Sequence, residues 1–553
     1  LIISVFRQNQ DSTVSLTSPW IAWLTPWRCR AIFAALLAFG FYSNWNYLHY
    51  NCPLDLAGDE AHYWDWSRQL DLSYYSKGPV VAYLIRASCA IFGDTMPAVR
   101  FPAMVLALGT GIVTYWLIVR LFRSDRMALG AAILSGSVPA FMAGSLLMTI
   151  DPPFFFMWGV VTCLAVLAVL EDRKWAWPLL GLALGVGFLA KYTIFLWMIG
   201  FLVFLVIDKP SRKYLKSPWF YLAIVIALAC TTPVVVWNAQ HGWVSEKHVA
   251  ADTATAFKLG SPFEMIGSQA AILGLSLFMI MVGASAYVFR REAKSDPHFR
   301  AIKYLACIGL TYFGIVFLQS LRSRIQPNWP APAYFTLMVL SVYFLSVRLK
   351  QKNKWRPWWA GNLIMTVVTG IVLTPVAHDP SLIYRFLPKI NWVVTKFRDK
   401  PMTARDLDPT ARLRGWEKLG KHVGDELAKL GPGAFVMTED YQRSSEMAFY
   451  VPGQPKTYCC ASYLNPPRRA SQFDIWPDRS LDPSENPSLV GKDCVFVGFM
   501  NKWPSSKLAF GQPPVKLPDL IIKAGGEQIA GFQVWLCRDF RGMKKTVEAE
   551  GNY

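Results

Sequence analysis

The sequence predicts a polytopic α-helical membrane protein with a soluble α/β domain after the membrane part, and three observations predict it. The 553 residues are 53% hydrophobic, 14% aromatic and 17% charged, too apolar and too charge-poor for a soluble enzyme of that length. The apolar residues gather in runs of about 20, the number an α-helix needs to cross a hydrocarbon core of about 30 Å. From about Asp406 onward the chain turns rich in Pro, Gly and Asp, with short strand-like runs.

Taken in order, the runs place about eleven spans, at Ala31–Tyr50, Ala98–Phe122, Met127–Leu147, Pro152–Leu170, Trp175–Ala190, Tyr192–Ile207, Pro218–Trp237, Met265–Phe289, Ala301–Leu318, Pro330–Val347 and Trp358–Val376. The first run is longer than a signal-peptide core and is expected to be retained. Val80–Phe92 is apolar but short, which suits a helix lying in the interface. The net charge of +19 comes from Lys and Arg clustered between apolar runs, where positive charge sets orientation, so nucleic acid is not an expected partner. Arg120 and Arg123, Arg173 and Lys174, Lys209 to Lys216, Arg290 and Arg291, and Arg348 to Arg356 all fall on one side if the N-terminus is cytoplasmic.

The predicted organisation is a cytoplasmic segment over 1–30, a membrane domain over 31–378 with outer loops 51–97, 238–264 and 322–329, an interfacial linker over 379–405, and a soluble domain over 406–553 on the outer, periplasmic side of a bacterial inner membrane. Within that last domain the strand candidates are Gly433–Thr438, Cys494–Phe499 and Phe532–Cys537, and Thr410–Leu430 has the spacing of a one-faced helix through Leu413, Trp416, Leu419, Val423, Leu427 and Leu430. Of the ten cysteines none has zinc-ligand spacing. An oxidising compartment allows one disulfide among Cys459, Cys460, Cys494 and Cys537.

The unusual polar residues sit in the outer loops. Gly58-Asp59-Glu60-Ala61-His62-Tyr63-Trp64-Asp65-Trp66 sets three carboxylates and an imidazole among large rings. An aromatic belt with polar filler would account for this. Alternatively, a carboxylate beside low-dielectric surface serves as general base or binds a divalent metal, which makes Asp59 and Glu60 the first catalytic candidates. Lys77, in Tyr75-Ser76-Lys77-Gly78-Pro79, either snorkels or meets a lipid phosphate. Asp151 stands where an N-cap would, before Pro152, yet ionised groups at membrane depth usually line a polar cavity. Lys191 interrupts an apolar stretch on the wrong side for the positive-inside rule, and either an anionic ligand or a salt bridge to Asp151 would explain it. His241 and Lys247 in one further loop, and Arg322, Arg324, Asn328 and Trp329 in another, add cations and hydrogen-bonding groups for phosphate or sugar hydroxyls, as His62, Tyr63 and Tyr75 do in the first.

These pieces, with Phe92-Gly93, Val99-Arg100-Phe101-Pro102, Lys191-Tyr192-Thr193, Asn238–Trp243 and Asn328-Trp329-Pro330, match in order and spacing a known family. The chain resembles the bacterial members of the dolichyl-phosphate-mannose protein mannosyltransferase superfamily, which includes the aminoarabinose transferases acting on lipid A, over Ala31 to about Val376. The tail resembles that of a bacterial subgroup in Gly415-Trp416, Asp440-Tyr441-Gln442, Phe449-Tyr450 and Gln472–Trp476.

The resemblance implies a GT-C fold and a glycosyltransferase that draws on a polyprenyl-phosphate sugar. It implies Asp59 as base or its helper, Asp151 in a supporting acidic role, and Lys77 and Lys191 as partners of the donor phosphate. The acceptor would be a glycolipid, a glycan or a protein. In the aminoarabinose transferases the residue before the turn lysine is acidic and lies near a metal; here it is Ser76, which leaves a divalent metal open and no other cofactor called for. A transporter or flippase of lipid-linked sugars is the rival from another class. Such proteins usually show two related halves, which this chain lacks.

Overall fold

The computed structural model describes residues 23–253, 261–396, 400–408, 410–464, 470–500 and 509–545, so most of the predicted 1–30 segment lies outside it. The chain is a multi-pass helical membrane protein. Among the described residues six helices are long and apolar enough to cross a bilayer: Met96–Phe122, Asp151–Leu170, Pro218–Gln240, Phe299–Ser320, Ala331–Arg348 and Arg356–His378. Two bent pairs, Tyr192–Ile207 with Lys209–Lys216 and Ser261–Leu273 with Leu275–Tyr287, raise the number to eight if each is one span.

Where the helices depart from the predicted spans, the cause is local. Met127–Leu147 is two helices, Asp125–Gly136 and Pro139–Gly144, because Val138 precedes a proline and is extended (φ −104°, ψ 108°), the conformation such a residue prefers. The predicted Met265–Phe289 span bends by 112° at Gly274, whose φ of +78° closes the left-handed region to most other residues. Val80–Phe92 is the short helix expected. The predicted loop after Asn238 contains the helix Val244–Thr253.

The chain falls into two compact units. The first takes the described residues of Leu1–Tyr47, Phe101–Val235 and Asp252–Ala377. Its closest helix pair is Ala176–Ala190 with Pro218–Cys230: a Cβ added at Gly181 would collide with the Ala223 backbone, and one at Gly185 with Cys230. Two glycines four apart let backbones approach, which is how helices gain packing in a medium as apolar as their own side chains.

The second unit takes Leu48–Arg100, Val236–Ala251 and the described residues of His378–Tyr553. Residues predicted as outer loops thus fold with the tail. Its centre is a five-stranded sheet in the order β2-β1-β3-β7-β4, from β1 (Phe435–Thr438), β2 (Thr457–Cys459), β3 (Cys494–Val497), β4 (Val515–Lys516) and β7 (Val534–Cys537). A separate hairpin pairs β5 (Leu520–Ala524) with β6 (Glu527–Phe532). β1 runs parallel to β2 and β3, while β7 is antiparallel to β3.

β1 and β3 are buried on both faces, as strands covered on each side are. Val436 and Val495 meet Leu419, Val423 and Met447 on one face, and Phe435, Met437 and Phe496 pack with Tyr458 and Phe540 on the other. The predicted Thr410–Leu430 helix begins only at Trp416, since Gly415 has φ +92° and its missing Cβ makes room for Ile522. Cys459, Cys460, Cys494 and Cys537 are all free thiols. They are buried as small apolar groups, with Cys494 opposite Cys537 across β3 and β7, in place of the disulfide the composition allowed.

Gly181→Leu is expected to lower stability by about 1–3 kcal/mol through overpacking, while Gly267→Ala, which meets nothing within 4 Å, should change it little. Thermal unfolding of the two variants in detergent checks this.

Candidate functional site

The polar residues of the first outer stretch lie on a helix, Gly58–Ser67, whose residues from Glu60 to Ser67 are all buried. A charged side chain in such a place needs a partner, and each has one. Arg100 pairs with Glu60, with Nη2 donating to Oε2 at 2.8 Å and Nε to Oε1 at 3.1 Å. The same guanidinium donates to the carbonyls of Asp55 (2.7 Å) and Leu54 (3.4 Å), and Glu60 Oε2 accepts from the Ala57 amide at 2.9 Å. Asp65 accepts from Arg479 Nη2 at 3.1 Å. Glu60, one of the two expected catalytic carboxylates, is thus buried in an ion pair with Arg100.

His62, an expected substrate-binding residue, is likewise buried. Trp66 Nε1, which can only donate, approaches His62 Nε2 at 3.1 Å, so Nε2 accepts and the ring proton sits on Nδ1, 2.9 Å from Ser445 Oγ. Burial, helped by the charge of Arg479, pushes the imidazole down to about 3. Tyr63 and Tyr75 are buried as well, at 7% and 3% exposure. Tyr63 meets Trp66 edge-on, and the Tyr75 amide donates to Gln472 Oε1 at 2.7 Å.

Asp59, one residue before this buried run, stays half-buried. It lies in the first turn, where the helix dipole favours a carboxylate. Oδ1 accepts from Gln442 Nε2 at 3.0 Å and from Tyr441 Oη at 3.2 Å. Lys77 is half-buried in the turn before Val80–Phe92, its carbonyl accepting from the Tyr74 amide at 3.1 Å. His241 stacks on Trp237 with ring centroids 4.1 Å apart, and Lys247 is exposed.

The first unit holds the other cluster. The Ala176–Ala190 helix stops where Lys191 turns extended (φ −154°, ψ 122°). Lys191 Nζ donates to Asp151 Oδ1 at 2.7 Å, and Asn328 Nδ2 to Oδ2 at 2.9 Å. The ammonium also lies 5.3 Å from the Phe154 ring centroid. The salt bridge that could explain the lysine is present, and Asp151 makes no capping bond to its helix. Both charges keep about a fifth of their surface exposed, so the pair remains open to an anion. Arg322 and Arg324 are exposed, Arg324 pairing with Glu264, and Trp329 is half-buried. A cavity of about 490 Å³ opens beside the bend at Gly274, lined by Ala140, Leu273, Leu275, Leu277, Met365 and Leu373 among others.

Among the described residues no group of three or more His, Cys, Asp or Glu could hold a metal ion.

Reasoning from sequence passed over Arg100, Tyr441 and Gln442 as partners, although all three lie in motifs that carried the resemblance. The usable signal was a second tail motif, Asp440-Tyr441-Gln442, in a protein whose outer loop carries a carboxylate short of donors.

These features define a multi-pass helical membrane protein. The fold matches that of ArnT from Cupriavidus metallidurans in its apo crystal structure, with a TM-score of 0.59 at 13% identity over 94% of this chain and 98% of that one. The match to ArnT bound to undecaprenyl phosphate has a TM-score of 0.57 at 14% identity over 91% and 97%. Residues 76–237 match the model of the dolichyl-phosphate-mannose-protein mannosyltransferase family.

Among curated relatives, the lipid A galacturonosyltransferase RgtD of Rhizobium johnstonii is 24% identical over 336 residues, 58% of this chain and 66% of that protein. The undecaprenyl phosphate-alpha-4-amino-4-deoxy-L-arabinose arabinosyl transferase of Pseudomonas paraeruginosa is 31% identical over 185 residues, 32% of each chain. The chain thus spans just under two thirds of the first relative and a third of the second.

Arg100→Leu strands Glu60 in the core and is expected to cost about 3–5 kcal/mol, part of which Glu60→Leu restores in the double variant; thermal unfolding of the single and double variants measures it. His62 binds a proton more readily unfolded than folded. Its contribution to stability is therefore complete above the unfolded value of about 6.5 and is lost as pH falls from there toward 3. A melting series from pH 8 to pH 5 should show a smaller acid-side loss in His62→Gln than in the wild type.

Proposed function

We propose that this chain is a glycosyltransferase that moves a sugar from a polyprenyl-phosphate donor to an acceptor at the outer face of a bacterial inner membrane. The observation that carries it is the alignment over 336 residues with a lipid A galacturonosyltransferase. The relatedness to an arabinosyl transferase named for an undecaprenyl phosphate-linked sugar and an apolar cavity suited to an isoprenoid chain support the same donor class. A glycolipid such as lipid A is the first acceptor to test, ahead of a glycan or protein.

In this mechanism the acceptor oxygen forms its bond to the anomeric carbon as the bond from that carbon to the phosphate oxygen breaks. The electron pair leaves on the lipid phosphate, and the acceptor proton passes to Asp59. A phosphate is a competent leaving group once cations neutralise it, so no general acid is required. One displacement inverts the anomeric centre, through a transition state of oxocarbenium character.

Lys191 is the candidate phosphate partner that the transfer test addresses, and Lys77, Arg322 and Arg324 are separate candidates for that role. Asp151 and Asn328 hold Lys191 in place. His241, Lys247 and Trp329 are candidates for contacts to sugar or acceptor. The proposed topology has about eleven crossings. It adds to the long and bent helices the short Ala176–Ala190, the pair Asp125–Gly136 and Pro139–Gly144, and Pro26–Asn46. The N-terminus is then cytoplasmic, and 406–553 periplasmic beyond an interfacial 379–405.

The test is transfer of labelled sugar from a panel of polyprenyl-phosphate donors to membrane extract by purified protein in detergent. Wild type should transfer; Asp59→Asn and Lys191→Ala should lose transfer while melting as the wild type does. Wild-type silence across the panel, with donor movement in sealed vesicles, would overturn the transferase in favour of a transporter.

A further inference from the structure

The helix Tyr441–Tyr450 starts directly after β1, the strand flanked on both sides by parallel neighbours. The carboxyl ends of parallel strands are where α/β sheets present functional groups. Asp440 caps this helix, its side chain accepting from the Arg443 amide at 2.9 Å. Thr438 and Ser444 Oγ atoms lie 2.7 Å apart beneath it. The first turn is thereby held on the sheet, and it carries Tyr441 and Gln442.

Both side chains reach the same atom, Asp59 Oδ1. Among the described residues nothing bonds to Oδ2. The approach depends on Gly58: a Cβ there would stand 2.6 Å from Gln442 Cβ and 3.0 Å from its Cγ, closer than real atoms pack. The contact also continues along the helix, where Ser445 meets His62 and Tyr450 Oη meets the Leu56 amide at 2.7 Å. Two neutral donors on one oxygen fix the plane of a carboxylate without neutralising it, and they leave the other oxygen as its only free acceptor.

Building on the transferase reading, we infer that Gln442 and Tyr441 are positioning residues for Asp59, holding Oδ1 so that Oδ2 faces the acceptor hydroxyl. The tail is thus a part of the catalytic apparatus supplied from a distant stretch of the chain. A misplaced base costs up to about 100-fold in rate, and that cost should fall on kcat while the donor KM stays constant.

Two measurements test this. The first needs no activity: the rate at which a water-soluble carbodiimide modifies Asp59, read by peptide mass spectrometry at one pH. It should rise several-fold in Gln442→Ala, in Tyr441→Phe and in Gly58→Ala, and stay unchanged in Lys421→Ala, an exposed pair on another helix. Equal rates in all variants would overturn the positioning role whether or not the protein transfers sugar.

The second is transfer itself. Gln442→Ala should lower kcat in the wild type and have no further effect in an Asp59→Asn background, where its target is already lost. An equal fold-loss in both backgrounds overturns the inference and marks Gln442 as acting elsewhere. Altered labelling in a protein without transferase activity would sink the transferase reading while the positioning of Asp59 stands.

Discussion

The second unit depends on one constraint: a helix with a glutamate, an aspartate and a histidine is buried along nearly its whole length. Desolvating a carboxylate is costly enough that it must be paired or neutralised. Each group here solves the problem with a residue far away in sequence. Glu60 uses Arg100, Asp65 uses Arg479, and His62 stays neutral between Trp66 and Ser445. Arg479 and Ser445 come from the tail, so the outer loop cannot reach its buried state without the sheet, and the helix Tyr441–Tyr450 lies against polar groups that the loop supplies.

Glu446 shows the same constraint from the other side. It is fully buried four residues after Gln442, and no hydrogen bond reaches either carboxylate oxygen among the described residues. Burial, reinforced by Asp55 and Glu60, raises its proton affinity well above the usual carboxylate range. Burial in that position favours the neutral form of the acid over the charged one. The ion pairs and the neutral acid together leave Asp59, at the edge of the buried helix, as the carboxylate with solvent access and a free oxygen.

Much of this was legible in the sequence, and the limits are physical. The membrane character follows from run length and composition, and the break at Lys191 follows from a charge in an apolar stretch. The pairing of Lys191 with Asp151 was readable as one of two alternatives because a charge at membrane depth has few ways to be satisfied. Breaks at Val138 and Gly274 were missed because hydropathy averages over a window and does not see a single backbone conformation. Glu60 was read as a catalytic candidate and His62 as a substrate-binding one because a sequence shows residue types and not burial. Arg100 and Gln442 were visible only as motif letters, since nothing in a linear pattern tells which of two distant motifs meets which.

In the first unit the lipid medium imposes a stricter version of the same rule. An unpaired ammonium in an apolar stretch is costly, so Lys191 pairs with Asp151, and Asp151 in turn takes Asn328. Such a triad is nearly neutral and costs little at rest. In the proposed transferase its lysine would exchange a carboxylate oxygen for a phosphate oxygen, with Asn328 still donating to Asp151. A lone lysine at that depth would bind an anion more tightly, but it would also be costly to insert and slow to release its ligand. For the proposed donor phosphate, which would leave after each turnover, the paired arrangement would trade affinity for reversibility.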